Sequence, residues 1–117
     1  MKYESKIIDT GAAASAFLEE NFFITFGEEA PAELKDYCYT IEKNKVSEDI
    51  AVGDKLSIDG TSYAITAVGA IVTQNLENLG HITVRFDGND TAEQSGTLHV
   101  EVAESIELDS GSTLSIG

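Results

Sequence analysis

Apolar and polar residues alternate in short runs along most of this chain, and glycine, aspartate or asparagine punctuates the runs. Alternation with period two sends successive side chains to opposite faces, so each run predicts a half-buried β-strand. The clearest is KLSIDGTSYAITAVG, residues 55–69. Leu56 and Ile58 alternate with Lys55 and Ser57 before Asp59-Gly60, and Tyr63, Ile65 and Ala67 form one row after it. Asp-Gly favours the tight turn whose twist matches paired strands, so this stretch predicts a hairpin. HITVRF (81–86) and TLHVEVAE (97–104) alternate in the same way; Leu98, Val100 and Val102 share one face, and His99 is assigned to the outward one. FFITF (22–26) is aromatic and β-branched and predicts a buried strand. Residues 3–9, 36–42 and 112–116 complete the strand set.

Helical signals are short. Thr10 is placed to cap a helix through 12–18, where Ala14, Phe17 and Leu18 share a face. Pro31 suits a first helical turn or a tight bend. Residues 74–80 predict a helical turn ended by Gly80. The polar stretch 42–52 reads as a surface connection. One internal echo is visible: Gly53–Ile58 and Gly111–Ile116 both read G-x-x-L-S-I, either a repeated unit or a shared strand-entry pattern. The predicted fold is mainly β, a small β-barrel or sandwich with one or two short helices.

Composition narrows the role. A chain of 117 residues, 42% hydrophobic and without an internal linker, predicts one domain over 1–117 with its own core. With 21 acidic against 7 basic residues and a formal charge of -14, binding to nucleic acid or to anionic membranes is disfavoured. A partner with a basic or apolar docking face would be steered inward. The single cysteine, Cys38, and the lack of a leader or membrane-length apolar run predict a cytoplasmic protein without direct membrane insertion. The sequon-like Asn89-Asp90-Thr91 then reads as a turn.

Several chemistries are unsupported. No phosphate-cradling glycine loop and no metal-ligand spacing is present, so neither cofactor nor metal is predicted. DGNDTAEQSGTL has Ala92 where a calcium loop needs glycine and Leu98 where it needs an acid. The esterase-type nucleophile elbow is absent too.

That leaves two histidines and the only arginine. If 80–88 (GHITVRFDG) contains a strand, His81, Thr83 and Arg85 share a face. A neutral imidazole is a nucleophile at cytosolic pH, and an arginine stabilises a transferring phosphoryl group. His81 is therefore a candidate phospho-acceptor and Arg85 a candidate phosphate or partner contact, although four residues of strand separate them by roughly 13 Å. The competing structural account has Arg85 pairing with a cross-strand acid and His81 capping the strand end. His99 is the second candidate acceptor.

ITFGEEAPAELKDYC (24–38), ITAVG (65–69), NLGHITVRFDG (78–88) and GTLHV (96–100) together resemble the glucitol/sorbitol-specific enzyme IIA component of the bacterial phosphotransferase system, in order over nearly the whole chain. The resemblance implies a cytoplasmic β-rich phosphocarrier. It would take a phosphoryl group from the histidine-containing phosphocarrier protein and pass it to enzyme IIB, which works with the membrane enzyme IIC on a sugar alcohol. It also implies a phosphohistidine just after the aromatic-Cys-aromatic segment. Here Tyr37-Cys38-Tyr39 is followed by Thr40-Ile41-Glu42-Lys43-Asn44, with no histidine. Three readings follow: a working carrier using His81, with His99 as second choice; a non-phosphorylatable paralogue acting as a binding or regulatory module; and a barrel whose interior holds a small molecule.

Overall fold

The computed structural model describes residues 1–117. Eight strands close into a barrel: β1 (Tyr3–Thr10), β2 (Phe22–Phe26), β3 (Tyr39–Ile41), β4 (Lys55–Ile58), β5 (Thr61–Val68), β6 (Ile82–Arg85), β7 (Thr97–Val100) and β8 (Thr113–Ile116). Around the barrel they follow the order β1-β3-β2-β6-β7-β5-β4-β8. Three short helices, α1 (Ala14–Leu18), α2 (Ala32–Lys35) and α3 (Val72–Leu79), interrupt them. Closure leaves no free sheet edge, which suits strands this short. Pairing is antiparallel except at β2–β3 and β6–β7.

Alternation predicts the faces well. Leu56 and Ile58 of β4 point inward, as do Ile82 and Val84 of β6; in β2, predicted only as a buried strand, Phe23 and Thr25 point inward and Phe22, Ile24 and Phe26 are half-buried. The inward residues pack with a core of buried residues from every strand, with Val72 and Leu76 added from α3; the buried Thr25 hydroxyl donates to the Gly80 carbonyl at 2.9 Å. The Asp59-Gly60 turn forms as predicted, with φ of 50° and 89° at the two central positions, the signature of a tight hairpin.

The two G-x-x-L-S-I segments are neighbours in the barrel. β4 and β8 pair antiparallel with Leu56 opposite Ile116, Ser57 opposite Ser115 and Ile58 opposite Leu114. The echo is therefore self-complementary: Leu-Ser-Ile laid antiparallel on Leu-Ser-Ile puts the apolar side chains on one face and the serines together.

Some boundaries differ from expectation. The predicted strand 36–42 shrinks to Tyr39–Ile41, because α2 and its trailing turn carry the backbone to Cys38 through hydrogen bonds from Tyr37 N–H and Cys38 N–H to the Leu34 and Lys35 carbonyls. Thr10 ends β1 instead of capping α1, whose N-cap position is Ala13. Strand β7 ends at Val100, and Val102 is exposed. The barrel interior holds only a void of about 10 Å³ lined by apolar side chains and Thr25, below what one water needs. The small-molecule-interior reading is thereby corrected: large side chains such as Phe23, Leu98 and Ile41 fill the space. No helix is long and apolar enough to cross a membrane.

Candidate functional site

His81 follows Gly80, and the local chain explains its position. Helix α3 ends at Gly80, whose φ of 65° lets its N–H reach the Asn75 and Leu76 carbonyls. A Cβ there would lie 2.8 Å from the Gly27 backbone nitrogen, so only glycine fits this close approach. The chain then enters β6 alongside β2. His81 Nδ1 lies 3.1 Å from the Thr25 carbonyl oxygen, and its ring sits on Phe26 at a centroid separation of 4.6 Å. A carbonyl only accepts, so Nδ1 carries the proton and a neutral ring presents its lone pair at Nε2. The ring is half-buried and Nε2 has no partner within the chain.

The segment after Tyr37-Cys38-Tyr39 is close by. β3 runs parallel to β2 with Tyr39 opposite Thr25 and Thr40 opposite Phe26. The two residues that hold His81 are thus the cross-strand neighbours of the segment that follows Cys38. Phe26 also lines a groove of about 480 Å³ with Gly27, Pro31, Leu79 and Lys43, where Lys43 Nζ reaches Glu29 at 3.3 Å. Cys38 is buried, and burial pushes its thiol pKa up, which makes it a poor nucleophile.

Arg85 is not brought to His81. It stands at the other end of β6, opposite Phe22 of β2, with its guanidinium carbon 4.5 Å from the centre of that ring. Phe22 stacks on Phe17 of α1 at 4.7 Å, and Phe17 on Tyr37 at 6.0 Å. Arg85 therefore caps an aromatic ladder that fixes α1 to the barrel. It makes no ion pair, which replaces the expected cross-strand acid with a cation–π contact.

His99 departs most from its sequence assignment. It is 5% exposed, and all four residues of β7 are buried. β7 lies between β6 and β5, and side chains of residues 87–94 line a pocket with Thr97 and His99, so His99 faces that pocket instead of open water. Its Nδ1 lies 2.8 Å from Asp87 Oδ1. Burial pushes the Asp87 carboxyl up, but hydrogen bonds from His99 and the Asn89 N–H, with the charge of His99, outweigh it and hold the pKa below the ordinary carboxylate value. Arg85 and His99 are opposite each other in the β6–β7 pairing. Together with Asp87, Asn89, Gln94 and Thr97 they line an all-polar pocket of about 310 Å³. Sequence reasoning missed Asp87, because its link to His99 depends on a parallel pairing that no local pattern encodes, and it missed Thr97, which is two residues before His99 on the same strand. No group of metal-ligating side chains is assembled.

The closed eight-stranded barrel places the chain in the class of compact β-barrel domains, and its half-buried His81 lies beside the Phe26 groove. The crystal structure of a PTS system IIA component from Enterococcus faecalis superposes with a TM-score of 0.80 at 26% identity, covering 97% of this chain and 98% of that one. The family described as "PTS system glucitol/sorbitol-specific IIA component" matches residues 2–115. Proteins named PTS system glucitol/sorbitol-specific EIIA component from Shigella flexneri and Escherichia coli are each 40% identical over 98 residues, covering 84% of this chain and 80% of the relative. The chain belongs to the glucitol/sorbitol-specific IIA family of the phosphotransferase system.

Proposed function

We propose that this protein is a cytoplasmic phosphocarrier of a glucitol/sorbitol-type phosphotransferase system, with His81 as its acceptor. The observation that carries the acceptor assignment is the place of His81. It is held by Thr25 and Phe26, the cross-strand neighbours of Tyr39 and Thr40, where the segment in which the family resemblance calls for a phosphohistidine begins.

In the forward step the Nε2 lone pair of His81 attacks phosphorus of the phosphohistidine on the histidine-containing carrier. A new N–P bond forms in line as the donor's N–P bond breaks, and that electron pair stays on the donor imidazole. The Nδ1 proton remains on His81, held by the Thr25 carbonyl. Attack by a nucleophile of enzyme IIB on the same phosphorus then restores the neutral ring. Docking of both partners beside Phe26 and Leu79 would exclude water from the N–P bond during each transfer.

A second reading rests on the absence of a histidine after Tyr37-Cys38-Tyr39: a paralogue that keeps the fold and binds partners without accepting phosphate. Intact-mass measurement separates the two. The protein is incubated with phosphoenolpyruvate, enzyme I and the histidine-containing carrier, beside a labelled family member. One acid-labile phosphoryl group, lost in His81→Ala, is expected. Full labelling of His81→Ala would sink the acceptor assignment, and no labelling beside a labelled relative would favour the silent paralogue.

A further inference from the structure

The polar pocket on the β6–β7 seam lies apart from His81, and the phosphocarrier reading uses none of its residues. We propose that it binds a phosphate oxyanion, either free phosphate or the phosphate of a small monoester. Four observations carry this. Arg85 is the only arginine in a chain of formal charge -14, yet it pairs with no carboxylate. Its guanidinium face rests on Phe22, which pre-orients the fork and leaves its N–H donors free. Thr97 is 2% exposed and His99 5%, yet the Thr97 hydroxyl and His99 Nε2 have no partner within the chain, and both residues line the pocket. The Asn89 and Gln94 side-chain amides, also in the lining, are equally uncommitted.

The carboxylates present do not defeat an anion. Asp87 already accepts from His99 Nδ1 and from the Asn89 N–H, and Glu93 is exposed on the loop. Arg85, Thr97, Asn89 and Gln94 together supply donors from two strands and one loop. The volume, about 310 Å³, is at the small end for a ligand site and has no apolar lining residue. That excludes a hydrophobic ligand and suits a small hydrated anion or a polyol phosphate.

The test is an amide chemical-shift titration of the isotope-labelled full chain at constant ionic strength, with inorganic phosphate and separately with a hexitol phosphate. Saturable shifts at Arg85, Asn89, Gln94, Thr97 and His99 are expected. Arg85→Gln should weaken binding at least tenfold, while Lys55→Gln, which removes an exposed charge on β4, should change it less than twofold. Tighter binding of the hexitol phosphate would identify a monoester as the ligand, and equal binding would identify free phosphate; both support the site. Non-saturating shifts, equal weakening by the two variants, or shifts centred on Thr25, Phe26 and His81 would overturn it. If Arg85→Gln loses the folded spectrum, Arg85→Lys keeps the charge without the fork and should weaken binding at least threefold; unchanged binding in it would also overturn the proposal.

Discussion

Arg85 faces His99 across the parallel seam between β6 and β7, and the side chain of Asp87, two residues beyond Arg85, binds the same imidazole. One turn leaving a strand thus ties the only arginine and a buried histidine into a single polar patch. His81, one residue before the same strand, is tied to β2 instead. The two histidines are therefore separate in environment: one half-buried against Phe26, the other nearly enclosed beside Asp87.

The Asp87–His99 contact predicts a pH dependence. The native pKa of Asp87 is depressed, so its stabilising contribution is fully present above its unfolded value near ~3.9 and is lost as pH falls through the lower native value. Asp87→Asn should therefore be less stable than the parent at pH 7, and the difference should shrink as pH falls below about 4. Urea unfolding at pH 7 and pH 3 measures it; an equal difference at both would contradict the assignment.

Tyr39 offers the opposite kind of test. Its hydroxyl is fully buried without a hydrogen-bond partner, while its ring packs edge-on to Phe23 at 6.1 Å. Burial and the charge of Asp109 raise its pKa. An unsatisfied buried polar group is destabilising, so Tyr39→Phe should raise stability by about 1 kcal/mol. Thermal unfolding reads this directly, and a clear loss would mean that the hydroxyl has a partner in solution.

Gly80 links fold to function. Its positive φ and its approach to Gly27 leave no space for a side chain. Gly80→Ala should cost at least ~1 kcal/mol and displace His81 from the Thr25 carbonyl. If His81 is the acceptor, phosphoryl uptake should fall more steeply than the folded fraction, measured on the same sample by intact mass and circular dichroism.

The aromatic ladder predicts a local effect. Arg85→Ala removes the cation above Phe22 and should cost ~0.5–1 kcal/mol. Amide hydrogen exchange should accelerate mainly in α1, which the Phe17–Phe22 stack holds to the barrel. Uniform acceleration across all strands would argue against the ladder as the local anchor.

Much of the barrel is legible along the chain, since alternation and turn chemistry act over a few residues. The hairpin at Asp59-Gly60, the helix stop at Gly80 and the inward faces of β4 and β6 all follow from local sterics and period-two burial. The family follows from order and identity of motifs over most of the chain. Local pattern failed where a residue's environment depends on a distant strand. His99 alternates as if it faced water, but it is nearly buried between β6 and β5, at the wall of a pocket shared with residues 87–94. His81 and Arg85 have the spacing of one strand face, yet β6 begins after His81 and different residues of β2 claim each one. The sequence by itself determined which segments become strands, because the side-chain period of a strand is local. Only the tertiary structure decided which polar groups meet, because the parallel β2–β3 and β6–β7 pairings join segments that no short-range rule connects.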